Sequence, residues 1–349
     1  MSHYSPHTSA TFEGYYNRFR LPSGSSVCLI ISSVPGKSTK PYMISFTHVN
    51  KQGTKVWQKE YWPSKWQIYK AQSLSSFSAK GNEDDYIIEW DDGLFKFKNG
   101  QVSWDLNTPE INFKAKQLNR GIPWNPSDND STPAGLLAKF PLPIQWHIHT
   151  VESTAEFSLA INDKANEIEL LNEDLEGEAK VHIEKNWAVS FPKSYIWMQV
   201  RDSEKQKGLS LAGGSLIPGV QAYLIGYQGS NKSFISFKPP TSTSIFGLSL
   251  GLYQNQVSSK KGVIDLDVIG WFKRLKIKGQ CDPSTYFSFA APLNTGHQPD
   301  YTVQSYAANI TVEVYERSWP WSEWVQVEKE SFKEGGMEFG GDAYERHEE

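Results

Sequence analysis

The sequence predicts an all-β protein arranged as two β-barrels or sandwiches in tandem, with little helix. Three observations carry this reading. Short apolar or alternating runs recur along the chain, separated by Gly, Pro, Asn and Asp. Long stretches of helical periodicity are nearly absent. Aromatic residues make up 13% of the 349 positions, with 13 Trp and 16 Tyr, which suits broad pleated surfaces or a pocket lined with ring faces.

The first set of runs comprises VCLIISSV (27–34), YMISFTHV (42–49), YIIEW (86–90), LFKFKNGQVSW (94–104), WHIHTVESTAEFSLAI (146–161) and EAKVHIEKNW (178–187). Asn99-Gly100, set between alternating stretches, predicts a hairpin. The second set opens with YIWMQV (195–200), LSLAGGSL (209–216), AYLIGYQ (222–228) and SFISF (233–237). It continues with VIDLDVIGWFKRLKIKG (263–279), YFSFAA (286–291) and AANITVEVYE (307–316). The division falls near Pro192, giving a first β domain over 1–190 and a second over 191–334. Residues 335–349, GGMEFGGDAYERHEE, are Gly-rich and acidic and are expected to form a flexible tail. ANEIELLNEDLEGEA (165–179) is the best helical candidate, a short helix at most or another hairpin. Residues 105–145 hold many turn formers and read as a long irregular excursion, a feature that often carries function.

Charge is nearly balanced, 35 Lys+Arg against 39 Asp+Glu, which argues against a nucleic-acid partner. Two distant cysteines, Cys28 and Cys281, point to reduced thiols rather than a disulfide scaffold. The first residues lack the charged and apolar regions of a signal peptide, and no apolar run approaches the roughly 20 residues of a transmembrane segment. The expected location is cytoplasmic.

His147 and His149 share one face of a strand, but no third ligand is evident, so no metal is expected. AGGSLIPG (212–219) lacks the Lys-Ser/Thr of a phosphate loop and reads as a turn or bulge. No G-x-S-x-G motif is present. WPWSEW (319–324) reads as an aromatic cluster that closes a barrel end or packs a terminal segment, with a ligand-facing cluster as the alternative. In FEGYYNRF (12–19), Glu13 sits among aromatics, where burial would raise its pKa and make it a proton donor, or it pairs with Arg18 or Arg20. In EKNW, a strand would turn Glu184 and Asn186 to one face and Lys185 and Trp187 to the other. An acid beside an amide donor is either an acid–base site or a hydrogen-bonded clasp, and the residues alone leave both open.

EKNWAVSFPKSYIWMQV (184–200) resembles the EKNW-G-x-FP-K-x-W-x-W-x-Q signature of tocopherol cyclases, and LSLAGGSLIPG (209–219) is similar to the segment that follows it in that family. FEGYYNRFRLP (12–22), STPAGLLAKFPLPIQWHIH (131–149) and VEVYER (312–317) resemble further family stretches in the same order, so the resemblance covers nearly the whole chain. It departs from the pattern at Ala188-Val189, at Tyr195-Ile196-Trp197, and at Ile144-Gln145-Trp146-His147, where the histidine has changed sides of the tryptophan. The resemblance implies two lipocalin-like barrels and a cofactor-independent intramolecular ring closure of a prenylated or polyene natural-product precursor, with a pericyclase-type cycloaddition as the related chemistry. It implies no metal and no nucleotide.

On this reading Glu184 is the acid or hydrogen-bond donor, Asn186 the orienting donor, and Trp187 and Trp197 the aromatic wall. Glu13, Tyr15, Trp146, His147, Gln199 and Lys185 are further candidates for the site. A non-catalytic carrier of a lipid, isoprenoid or pigment asks for the same kind of pocket and is the alternative.

Overall fold

The computed structural model describes residues 3–36, 38–70, 84–129, 131–140, 142–166 and 168–345. Strands dominate, and among the described residues the helical segments are short 3-10 turns. The first eleven strands are β1 (Phe12–Arg20), β2 (Ser26–Ser33), β3 (Tyr42–Val49), β4 (Val56–Tyr61), β5 (Trp66–Lys70), β6 (Tyr86–Trp90), β7 (Gly93–Lys98), β8 (Gln101–Asn107), β9 (Ile111–Gln117), β10 (Ile144–Ile161) and β11 (Glu176–Ala188). They form one antiparallel sheet in the order β4-β3-β2-β1-β11-β10-β9-β8-β7-β6-β5.

The two edge strands of this order, β4 and β5, are neighbours in sequence, joined by residues 62–65. A flat sheet of that width would separate its edges by roughly 50 Å, and so short a link spans less than about 20 Å. The sheet must therefore curl until its edges approach, and stacking of Tyr42 on Trp66 at 4.8 Å brings β3 and β5 together. Its interior holds one apolar core, including Tyr15, Phe19, Phe46, Phe95, Trp104 and Phe113.

The second sheet uses β12 (Ser194–Asp202), β13 (Lys207–Ile217), β14 (Val220–Gln228), β15 (Phe234–Phe237), β16 (Thr243–Ile245) and β17 (Leu248–Ser249). It is completed by β18 (Leu252–Ser258), β19 (Val263–Ile269), β20 (Lys273–Gln280), β21 (Phe287–Leu293), β22 (Gly296–Glu316) and β23 (Val325–Gly341). Its path runs β17-β16-β14-β13-β12-β23-β22-β20-β19-β18, so again sequence neighbours, β17 and β18, stand at the two ends. The result is an all-β, lipocalin-like fold of two barrel-like sheets.

Burial shows where the two barrels meet. β9 alternates, with Ile111, Phe113, Ala115 and Gln117 inside and Asn112, Lys114 and Lys116 in solvent. β1 does not: eight of its nine residues are buried. Tyr15 and Phe19 point into the first barrel, whereas Tyr16 points outward into a third apolar cluster with Cys28, Trp124, Trp146, Trp197, Phe289 and Tyr306. The fold thus has one core in each barrel and one between them.

Local predictions can be checked strand by strand. Asn99 and Gly100 take φ of 53° and 77° between β7 and β8, as a two-residue hairpin loop requires. Among the described residues of 165–179 there is no α-helix; a 3-10 turn at Asn172–Asp174 leads into β11. The irregular excursion is shorter than expected, because β8 and β9 already occupy Gln101–Asn107 and Ile111–Gln117. Trp319 and Trp321 close nothing and stand 70% and 89% exposed.

The flexible tail is the main correction. Residues 335–341 are the end of β23, paired with both β12 and β22 in the middle of the second sheet. Their glycines make room for rings rather than for motion. A Cβ on Gly336 would lie 2.6 Å from Trp197 Cζ3, and one on Gly340 2.0 Å from Tyr195 Cε1. Ending the chain after Glu334 would strip β12 of one of its two partners, β23, over Ser194–Gln199. The expected outcome is loss of the cooperative thermal transition of the second barrel, read by near-ultraviolet circular dichroism.

Candidate active site at the barrel junction

The alternation of β11 sorts the sequence-derived candidates into two places. Lys185 and Trp187 face the first barrel's interior, with Ile183 and Val181; Glu184 and Asn186 face the second barrel. In antiparallel register Glu184 lies opposite Tyr16 of β1 and Ile148 of β10, and Asn186 opposite Gly14 and Trp146. A Cβ on Gly14 would come within 3.3 Å of the Asn186 amide oxygen, so glycine keeps that amide in its place.

On the interior face Lys185 is fully buried, and its Nζ donates to Glu13 Oε1 at 2.8 Å and to the Ser5 carbonyl at 2.7 Å. His7 adds a contact from Nδ1 to Glu13 Oε1 at 3.0 Å and stacks on Trp187 at 3.8 Å. His147 belongs here too, fully buried and stacked on His3. Glu13 is therefore neither the raised acid expected from its aromatic setting nor a partner of Arg18 or Arg20. Burial pushes its pKa up, but the Lys185 charge and hydrogen bonds from His7 and Lys185 outweigh burial and hold it below the ordinary value. Glu13, Lys185, Trp187 and the His147 ring form a clasp for the N-terminal segment. Among the described residues no group of three His, Cys, Asp or Glu is placed to hold a metal.

On the outward face a cavity opens between the barrels. Its volume, measured as the space open to a water molecule's centre, is about 150 Å³, room for on the order of ten waters. Glu184, Asn186, Trp146 and Trp197 line it, and Tyr15 borders it while its ring packs in the first core. Tyr16, Tyr195, Tyr223, Phe191 and Phe289 supply more ring surface. The irregular segment contributes Ala134, Leu137 and Leu142 and is pinned to the second barrel by Gln228 Nε2, which donates to the Pro123 and Trp124 carbonyls at 3.0 Å. Gln199 is buried but lines a smaller neighbouring cleft.

Among the described lining residues, the acidic groups of this cavity are two carboxyls, Glu184 and Glu338. Glu184 Oε2 accepts from Trp197 Nε1 at 3.1 Å and contacts His182 Nε2 at 2.9 Å. Glu338, on β23 directly opposite Trp197, accepts from the Tyr195 hydroxyl at 2.7 Å and from Gln304 Nε2 at 2.9 Å. Burial, helped by the nearby charge of Glu184, pushes Glu338 up to about 7 against those stabilising bonds. No lysine, arginine or histidine is among the described residues lining the cavity. Sequence reasoning missed Glu338, although period-two alternation in GGMEFGG sets Glu338 with Gly336 and Gly340 on one face, opposite the core residues Met337 and Phe339.

Comparison with known proteins follows this geometry. No protein-family model matches the chain, and no curated protein matches it. Solved structures do. CghA aligns over 97% of this chain and 90% of its own with a TM-score of 0.58 at 10% identity. CghA with Sch210972 gives 0.54 at 11% identity over the same shares. Kievitone hydratase from Nectria haematococca gives 0.50 at 10% identity, over 98% of this chain and 92% of its own. The double-barrel fold is shared.

Two outcomes follow from the two faces. Lys185→Met leaves Glu13 buried without its cation and should lower unfolding free energy by about 3 kcal/mol in urea titrations. Glu338 binds its proton more tightly folded than unfolded, so stability should fall as pH rises from 4.5, the unfolded value, through about 7. Across that window Glu338→Gln should gain about 3 kcal/mol relative to the parent, read from melts at both ends.

Proposed function

We propose that the protein is a cofactor-independent cyclase that closes a ring within a hydrophobic prenylated or polyene precursor held between its barrels. The observation that carries this reading is an aromatic cavity with a buried carboxyl group, Glu338, whose pKa of about 7 keeps a transferable proton at neutral pH. Glu338 gives that proton to a substrate alkene carbon. The substrate's own hydroxyl oxygen bonds to the cationic carbon so formed, and its proton returns to the Glu338 carboxylate, leaving product and substrate of equal mass. The faces of Trp146, Trp197 and Tyr16 stabilise the positive charge, and Asn186 orients the oxygen. Support comes from the resemblance to tocopherol cyclases and from the fold shared with a protein named as a hydratase and with CghA, seen with Sch210972.

The cavity's charge narrows the substrate. With two carboxyl groups and no lining cation, it favours neutral or cationic hydrophobic molecules and penalises carboxylates. A panel of prenylated quinols and polyene or quinone-methide precursors, analysed by chiral chromatography with mass spectrometry, tests the proposal. The expected result is a product of unchanged mass in one dominant enantiomer, with Glu338→Gln slower by about 100-fold and a melting temperature that is not lowered. Carboxylated analogues should bind roughly tenfold more weakly than their neutral counterparts. A ligand bound and returned unchanged would instead make the protein a carrier.

A further inference from the structure

His182 of β11 faces two hydrogen-bond acceptors. Its Nδ1 lies 3.2 Å from the Val151 carbonyl oxygen and its Nε2 2.9 Å from Glu184 Oε2. A carbonyl oxygen has no proton to give, so the first contact requires a proton on Nδ1. A neutral ring would then turn the bare lone pair of Nε2 toward the carboxyl group, and an ionised carboxylate at that distance would be repelled. Two arrangements remove the repulsion. Either Nε2 also carries a proton and the imidazolium donates to the carboxylate, or Glu184 is protonated and donates to Nε2. Both contain one and the same extra proton, and both are neutral as a pair. The Trp197 indole, a donor only, is compatible with either.

The pair also bridges two spaces. Glu184 lines the main cavity, while His182 lines a narrower cleft of about 30 Å³ by the same measure, enough for about two waters. Arg18, Arg20 and Tyr16 on β1, Glu334 and Glu338 on β23, and Glu152, Lys180 and Arg201 around the cleft are charged and titratable groups packed near it. We propose that His182 and Glu184 hold one proton in common, and that His182 is a positioning residue which keeps Glu184 supplied with that proton from the cleft side. The cavity then has two proton-bearing walls, Glu338 and Glu184, rather than one. The catalytic sense of this inference rests on the cyclase reading; the shared proton does not.

Histidine-selective ¹⁵N NMR on the full-length protein, from about pH 6 to about pH 8, reads the ring directly, with His182 assigned by loss of its signals in His182→Gln or by Val151-selective labelling. Infrared difference spectra against Glu184→Gln read the carboxyl group. The expected result is a proton on Nδ1, together with either an Nε2-bound proton or a protonated-carboxyl band that disappears in Glu184→Gln. A neutral ring protonated at Nε2, or a neutral Nδ1-protonated ring beside an ionised Glu184, would overturn the proposal. Neither measurement needs a substrate, so an inactive substrate panel would count against the cyclase and leave this result standing. With an active substrate, His182→Gln should lower kcat about tenfold with KM within about twofold.

Discussion

The structure depends on one constraint: each barrel presents a wall to the other, and most polar groups on those walls find partners there instead of in water, Trp146 Nε1 and Gln304 Oε1 being exceptions. A buried donor or acceptor left alone costs about 1–3 kcal/mol. The junction meets this with a continuous chain of contacts. Gln304 donates to Tyr16, Tyr16 lies 2.7 Å from Tyr306, and Gln304 and Tyr195 both reach Glu338. Arg18 crosses the seam to the Glu334 carbonyl at 2.8 Å and lies over the Tyr306 ring. Trp197 ties the second barrel to Glu184 of the first. The cavity is the part of this seam where side chains stop short of filling the space.

Two acids show how the same burial leads to opposite chemistry. Glu13 and Glu338 are 5% and 7% exposed. Glu13 faces a lysine and stays below its ordinary pKa; Glu338 has no such cation, and burial, with Glu184 adding to it, pushes it up to about 7. Strand alternation keeps the two settings apart, since Lys185 and Glu184 are chain neighbours that point into different compartments. A single pleat therefore separates a structural ion pair from the candidate acid site.

What was legible in the sequence was what alternation alone decides. The all-β class, the Asn99-Gly100 hairpin, and the division of EKNW into two faces follow from period-two patterning and turn chemistry. What was not legible depended on partners far along the chain. The Glu13 cation lies 172 residues away, and nothing near FEGYY announces it. Glycines at 336 and 340 signalled flexibility because the rings that occupy their space, Trp197 and Tyr195, belong to another strand. That misreading hid Glu338. The resemblance motif directs attention to Glu184 and Trp197, yet the end of the strand that completes their site, residues 335–341, reads in the sequence as tail.

The placement of β23 has a further consequence for when the protein becomes competent. β23 follows every other strand of its sheet in chain order, yet it pairs with the first of them, β12. Contacts this distant in sequence form late, because the loop-closure entropy must be met before they contribute. The first barrel, the His182–Glu184 pair and the aromatic wall can all be in place while Glu338 is still absent. The Glu338 carboxyl thus joins the cavity only when the second barrel closes, and any fraying of the β12–β23 seam withdraws it again. The integrity of the fold decides whether the cavity holds its second carboxyl group.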